Sequence, residues 1–407
     1  MILPDFKEQP ILSVAICMYI FALSISRWNA VYSISCAVLI GVLFFYLYKL
    51  RRKFIFHLPD KNFNLIYWPF FLSLIISSVL LGDFPSMISA VNFFYWSTPF
   101  LVLYFACQYK FNSKHIITSL AIALWITSGK AIQQYLMADT FIRVTGFFGG
   151  PNVLATMLCL NMTFLFSITF GMRASLSKWI KLNSYGALFL GLIALMLTGS
   201  RAGMIAIILS AVVSICTYIH ASNYRASIKK KCMIVGIIIA IIIFFIGGML
   251  ITQNRQIRQH YDAERIRLLI SACEMWNDHK MLGVGLKNWG KEYHETYILP
   301  DAKEPNLDIP HNVPAYFFSA AGTVSGFAYL LYSFGSFWYL YRELKKNPFN
   351  PYIYGFLWAA ITVFIHGIVD SGITTNNVLR LYSGMLGITM ASIGIYDIRN
   401  RNIDKSL

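Results

Sequence analysis

The sequence predicts an all-α polytopic membrane protein of about twelve transmembrane helices, with one larger loop on the outer face that itself contains a helix. Three observations predict it. Of 407 residues, 57% are hydrophobic and only 13% are charged, against about 25% charged in ordinary soluble domains. The apolar residues fall in blocks of roughly 17 to 25, each long enough to cross the ~30 Å hydrocarbon layer as a helix. The basic residues concentrate in alternate loops between those blocks, the pattern that sets membrane topology. That placement accounts for a net charge of +16 and excludes nucleic acid as the partner it would otherwise suggest.

In chain order the expected spans are 10–26, 29–48, 63–82, 87–108, 116–136, 152–171, 184–199, 202–220, 233–252, 314–341, 352–370 and 381–397. With the N-terminus inside, most of the 34 basic residues lie on the inner side, including the runs Lys49 to Lys53, Arg225 to Lys231 and Arg342 to Lys346. Each short outer loop carries at most a single basic residue (Arg27, Arg143, Arg201, Arg380), and the long loop balances its cations with acids. Both termini are therefore expected in the cytoplasm. Asp5, Lys7 and Glu8 precede the first block and no small-residue cleavage site follows it, so that block reads as an uncleaved span. The expected organisation is helices one to nine over 1–252, the outer loop with its amphipathic helix over 253–313, and the last three helices with the cytoplasmic C-terminus over 314–407.

Of seven cysteines only Cys273 falls in the outer loop, so no disulfide framework is available there. The others sit in or beside spans and read as small apolar packing residues. The histidines show no H-E-x-x-H or paired His/Cys spacing, and neither a complete G-x-x-x-x-G-K-[ST] loop nor a D-x-D pair is present. An enzyme of this sequence is expected to use no metal, nucleotide or other cofactor.

Chemistry outside the bilayer has to draw on the outer loop. From Asp262 to Asp278 a helical rotation of about 100° per residue puts Leu269, Ala272, Cys273 and Trp276 on one face with Arg265 in its middle. Arg267 projects opposite, among Ser271, Glu274 and Asp278, where it is expected to stay solvated. An inward arginine needs an anion: a carboxylate such as Asp370, or a ligand phosphate.

Arg201 sits in Thr198-Gly-Ser-Arg-Ala-Gly203, which joins two spans through almost no loop. An ionisable residue there faces a cavity, a partner or lipid headgroups, and Gly199 and Gly203 permit close approach. His311 and Asn312 follow Pro310 at the outer surface, and an imidazole suits proton transfer near neutrality. Two separated arginines and a histidine on one side suit an anionic substrate, a pyrophosphate above all, and a base that activates an alcohol. Asn152, behind Pro151 and two glycines, either binds the donor or caps its helix. Arg143 assists phosphates or anchors to headgroups. Asp370 either orients His311 or pairs an arginine.

These residues resemble a family. His311-Asn312 followed after nine residues by Gly322 looks like the H-[NSQ]-x9-G signature of bacterial O-antigen ligases, in the superfamily that includes O-antigen polymerases and protein O-oligosaccharyltransferases. Gly146-Phe-Phe-Gly-Gly-Pro-Asn-Val-Leu-Ala155, Thr198 to Gly203, and Arg265 through Glu274 to Gly285 are similar to its other landmarks. The resemblance covers about 146–326. It implies transfer of a glycan from undecaprenyl pyrophosphate to a sugar hydroxyl, with lipid A-core as acceptor for a ligase, at the periplasmic face of a Gram-negative inner membrane. It also implies His311 as base on the acceptor and Arg201 and Arg265 on the pyrophosphate, with membrane lipids as surroundings. A polymerase joining repeat units on the same carrier is the alternative within the superfamily. Outside it stands a secondary transporter, which is expected to show broken helices or charges at the bilayer midplane and repeat symmetry.

Overall fold

A computed structural model describes residues 10–25, 29–50, 57–140, 142–221, 236, 255–304 and 306–404. The described residues form an all-α membrane protein with no strands. Inside a bilayer no water pairs with backbone amides, so a spanning segment must satisfy them within itself, as a helix does. Among the described residues eight helical segments are long and apolar enough to cross, Phe84–Tyr109 counted as one, and Pro10–Ile25, Arg201–Thr217 and Pro351–Gly367 are shorter apolar ones.

The helices are α1 (Pro10–Ile25), α2 (Asn29–Leu50), α3 (Lys61–Leu81), α4 (Phe84–Ser97), α5 (Pro99–Tyr109), α6 (Ser113–Leu136), α7 (Pro151–Gly171), α8 (Lys178–Leu197) and α9 (Arg201–Ala221). After them come α10 (Arg255–Asp278), the short α11 (Trp289–Glu292), α12 (Val313–Lys346), α13 (Pro351–Gly367) and α14 (Asn376–Asp404). Every expected span coincides with helix except 233–252, which apart from residue 236 lies outside the described residues. The expected span 87–108 falls in one apolar segment, Phe84–Tyr109, which is divided where Thr98 ends α4 and Pro99 opens α5. Proline supplies no N–H and suits the first turn of a new helix.

Helices α7 and α14 form the centre, with 83% and 89% of their spanning windows buried, against 28% for α2 and α8 at the rim. α13 packs on α7 and α9, α14 on α5, and α12 on α3. The α3–α12 seam is aromatic: Phe70 meets Phe317 edge-on at 4.9 Å and Tyr332 at 5.3 Å, geometries in which rings attract.

α10 and the chain after it belong to one end of the bundle, called here the loop end. They are stitched into a break in α12. Gly322 has φ +81 and interrupts the helix, freeing the Ser319 and Ala320 carbonyls and the Thr323 N–H. Each is taken by the loop: Val284 N–H donates to Ser319 O (2.9 Å), Gly285 N–H to Ala320 O (2.9 Å), and Thr323 N–H to Lys280 O (2.8 Å). The break is thereby closed by protein backbone, as buried polar groups require. A Cβ on Gly322 would be driven into the Met281 carbonyl, and one on Gly283 into the backbone of Ala320 and Ala321. The glycine of the sequence signature is thus a backbone requirement. Gly322→Ala should lower stability by more than about 2 kcal/mol, since the left-handed conformation alone costs 1–2. Gly129→Ala, at a helical position with nothing near its Cβ, should be neutral to slightly stabilising. A melting curve in detergent checks this; equal melting of the two variants would contradict it.

Candidate active site

The first element is the segment before α7. Gln134 near the end of α6 clamps it, accepting from the Thr145 and Gly146 N–H groups (3.1 and 2.8 Å) and donating to Gly146 O (3.1 Å). Gly146 turns there with φ +58. So held, Arg143 lies across Gly199, donates from Nε to Thr198 O (2.9 Å) and from its guanidinium to Asn152 Oδ1 (2.6 Å). Asn152 is therefore not a cap: Gly150 caps α7, without a side-chain bond, and Pro151 is its first residue. The expectation that Asn152 either caps or binds reduces to a residue whose amide oxygen holds Arg143.

The second is the α8–α9 junction. Gly199 takes φ +62, and Ser200 Oγ accepts from the Gly203 N–H (3.3 Å) as a cap. Arg201, half-buried, is the first residue of α9. The N-termini of α7 and α9, whose unpaired N–H groups and dipoles favour anions, are thus presented together with Arg143 and Arg201. They are joined by His366 of α13, 1% exposed, whose Nδ1 lies 2.7 Å from Thr156 Oγ and whose Nε2 lies 3.4 Å from Ser200 Oγ.

The third is the turn after α13. Asp370 is 3% exposed and stands between Arg265 (3.8 Å) and His311 Nδ1 (3.8 Å), so it both pairs an arginine and faces the histidine. Its Oδ1 also accepts from the Ser371 N–H (2.6 Å) and hydroxyl (3.0 Å). Burial alone would raise this carboxyl, but the His311 imidazole beside it and the Ser371 N–H more than offset that and hold it at about 2. A depressed carboxyl stabilises the fold fully above its ordinary pKa of about 4 and loses that contribution only as pH falls toward 2. Asp370 is anionic throughout the physiological range.

His311 is the one non-glycine residue with positive φ among the described residues (+49), a conformation that persists only where surroundings enforce it. Asn312 enforces it. Its Oδ1 accepts from Ala315 N–H (2.8 Å) to cap α12, while its Nδ2 donates to Ile368 O (2.8 Å), tying His311 to the turn that bears Asp370. The ring is 29% exposed while Nδ1 is buried, so the open edge carries Nε2. A carboxylate behind one ring nitrogen and an accessible second nitrogen is the arrangement of a general base.

Two sequence expectations about α10 are corrected. Its buried face carries Leu268, Ala272 and Met275 with Glu264 and Ser271, while Leu269 and Cys273 are exposed and Trp276 is half-buried. Arg265 lies at the edge of that face, 32% exposed, and still reaches Asp370. Arg267 is no solvated residue: it pairs with Glu264 (2.7 Å), itself 2% exposed, and with Asp301 (2.8 Å). Glu264 also accepts from the Lys303 and Glu304 N–H groups, so this knot fastens the chain near 301–304 to α10.

Of the expected residues the structure brings Arg265 and His311 against Asp370, ties Asn312 to the same turn through the Ile368 carbonyl, and joins Arg143 with Asn152. Arg201 connects to these through Ser200 and His366, which lies within electrostatic reach of both Asp370 and Arg265. Gly322 serves the backbone. His366 was missed, although His366-Gly-Ile-Val-Asp370 places an ionisable residue inside a span, itself a signal of function. Among the described residues no three His, Cys, Asp or Glu side chains converge as a metal site would require.

Fold and site define a multi-pass membrane protein with an arginine-rich, histidine-containing site at one end of its bundle. Residues 186–331 match the family model described as O-antigen ligase. The matched stretch contains Arg201, Arg265, His311 and Gly322; Arg143, Asn152, His366 and Asp370 lie outside it. The family is one of glycosyl transfer in O-antigen processing. No curated protein matches the chain.

Proposed function

We propose that the chain transfers a glycan from undecaprenyl pyrophosphate to a sugar hydroxyl of lipid A-core, as an O-antigen ligase of a Gram-negative inner membrane. Its termini are then cytoplasmic and its loop end periplasmic. The observation that carries this reading is the His311–Asp370–Arg265 cluster together with the α9 N-terminus that opens on Arg201 and the α7 N-terminus whose Asn152 holds Arg143. His311 Nε2 takes the acceptor hydroxyl proton, the hydroxyl oxygen bonds to the anomeric carbon, and the bond from that carbon to the pyrophosphate oxygen breaks. Undecaprenyl pyrophosphate departs with the electron pair, and direct displacement inverts the anomeric centre. Arg201 and Arg265, assisted by Arg143 and Asn152, meet the charge that grows on the leaving group. A guanidinium has five N–H donors, so pairing with Asp370 is compatible with Arg265 holding a phosphate. Asp370, fixed as an anion, orients the imidazole and stabilises it once protonated.

A polymerase would use the same chemistry with a second carrier-linked unit as acceptor. The lipopolysaccharide profile of a deletion strain tests the choice. A missing ligase leaves polymerised glycan on the carrier, whereas core bearing a single repeat would mark a polymerase. A transporter is disfavoured because the broken helix in α12 has its freed groups taken by the loop. Since guanidinium groups are the leaving-group partners, turnover should continue in excess chelator without nucleotide. Activity lost on chelation and restored by a divalent ion would overturn that mechanism.

A further inference from the structure

The proton roles around His366 can be worked out from its neighbours. With Thr156 Oγ donating to the Asn152 carbonyl (3.0 Å), the 2.7 Å contact is assigned as a donation from His366 Nδ1–H to Thr156 Oγ. Nε2 is then a lone pair that receives the Ser200 hydroxyl proton (3.4 Å), while Ser200 Oγ accepts from the Gly203 N–H. Every group has a complementary partner with the imidazole neutral. The result is one continuous path: Gly203 N–H, Ser200, His366, Thr156, Asn152 carbonyl. It runs from the first turn of α9, beside Arg201, through α13 to the first turn of α7, where Asn152 holds Arg143. His366 itself is 1% exposed, so it acts through its neighbours and not by touching substrate.

We infer that His366 is a positioning residue: a neutral crosspiece that sets the spacing of the α7 and α9 N-termini, and with them Arg143 and Arg201, for a pyrophosphate group. This rests on the proposed reading of the site as a pyrophosphate-binding one. Because the crosspiece acts on the anion pocket and leaves His311 and Asp370 in place, its loss should weaken donor binding far more than it slows the chemical step.

The test uses the full chain in bilayer nanodiscs, with undecaprenyl pyrophosphate as the binding probe and glycan transfer from lipid-linked donor measured in parallel. His366→Leu should raise Kd for the probe and KM for the donor roughly ten- to a hundredfold, the scale of an unsatisfied buried hydrogen bond, with kcat changed less than threefold or so. His366→Asn, whose amide N–H falls near the Nδ1–H position, should restore most of the affinity by recovering the Thr156 bond. Thr156→Val combined with His366→Leu should add little to either single change, because both cut one path. Equal behaviour of the Leu and Asn variants, wild-type affinity in Leu, or loss of fold in both would overturn the proposal and leave His366 as packing alone. A wild type that binds the probe but transfers nothing would defeat the reading of function while the affinities still decide the role of His366; a wild type that does not bind it defeats both.

Discussion

His311→Asn should slow glycan transfer by about 10²- to 10⁴-fold while leaving donor affinity near wild type, the range that general-base assistance supplies. Asparagine is the informative replacement. His311 occupies φ +49, where asparagine is tolerated and alanine is strained, so His311→Ala confounds lost chemistry with a disturbed backbone. The arginines and the two helix N-termini remain in place, so the pyrophosphate should still bind. Transfer at the wild-type rate in His311→Asn, or affinity lost in proportion to rate, would show that the histidine binds or braces instead.

Arg265→Ala and Arg267→Ala should fail in different ways. Arg265 faces Asp370 at the site and is a third exposed, so its removal should cost at least about a hundredfold in transfer, the scale of deleting a donor to developing negative charge, with the melting temperature barely changed. Arg267 bridges Glu264 and Asp301. Its loss takes one partner from a buried carboxylate that keeps its backbone donors, costing roughly 1–3 kcal/mol of stability, and the protein that remains folded should transfer at nearly the normal specific rate. Specific activity and melting curves measured on the same preparations separate the two. Equal loss of specific activity at equal stability would mean that both arginines contact the substrate.

Hydropathy made the spans legible because a bilayer demands long apolar helices and little else from sequence. It was blind where the chain stays apolar through a change of backbone. Ala320-Ala321-Gly322-Thr323 reads as uninterrupted span, yet it holds the break that receives the loop, and only the motif glycine hinted at it. The break within 87–108 was signalled by Pro99 alone. Helical periodicity misplaced the face of α10 because it assumes that the inward side is the apolar one. That helix buries Glu264 and Ser271, each with its hydrogen bonds met, and leaves Leu269 and Cys273 outside. At the site, residue type marked Arg201, Arg265, His311 and Asp370, whereas the contacts that unite them come from tertiary packing of α13 against α7 and α9. His366 acquires its meaning only there, from Thr156 and Ser200 on two other helices.

The central claim is a transfer that breaks the bond between glycan and carrier pyrophosphate at this site. Purified protein in nanodiscs, given undecaprenyl-pyrophosphate-linked glycan and lipid A-core, tests it most directly when both products are quantified together. The account predicts that glycan appears on lipid A-core and free undecaprenyl pyrophosphate is released in equal amounts, and that both vanish together in Arg265→Ala. Carrier released without glycan on the acceptor, or no release from a protein that binds the donor, would contradict it.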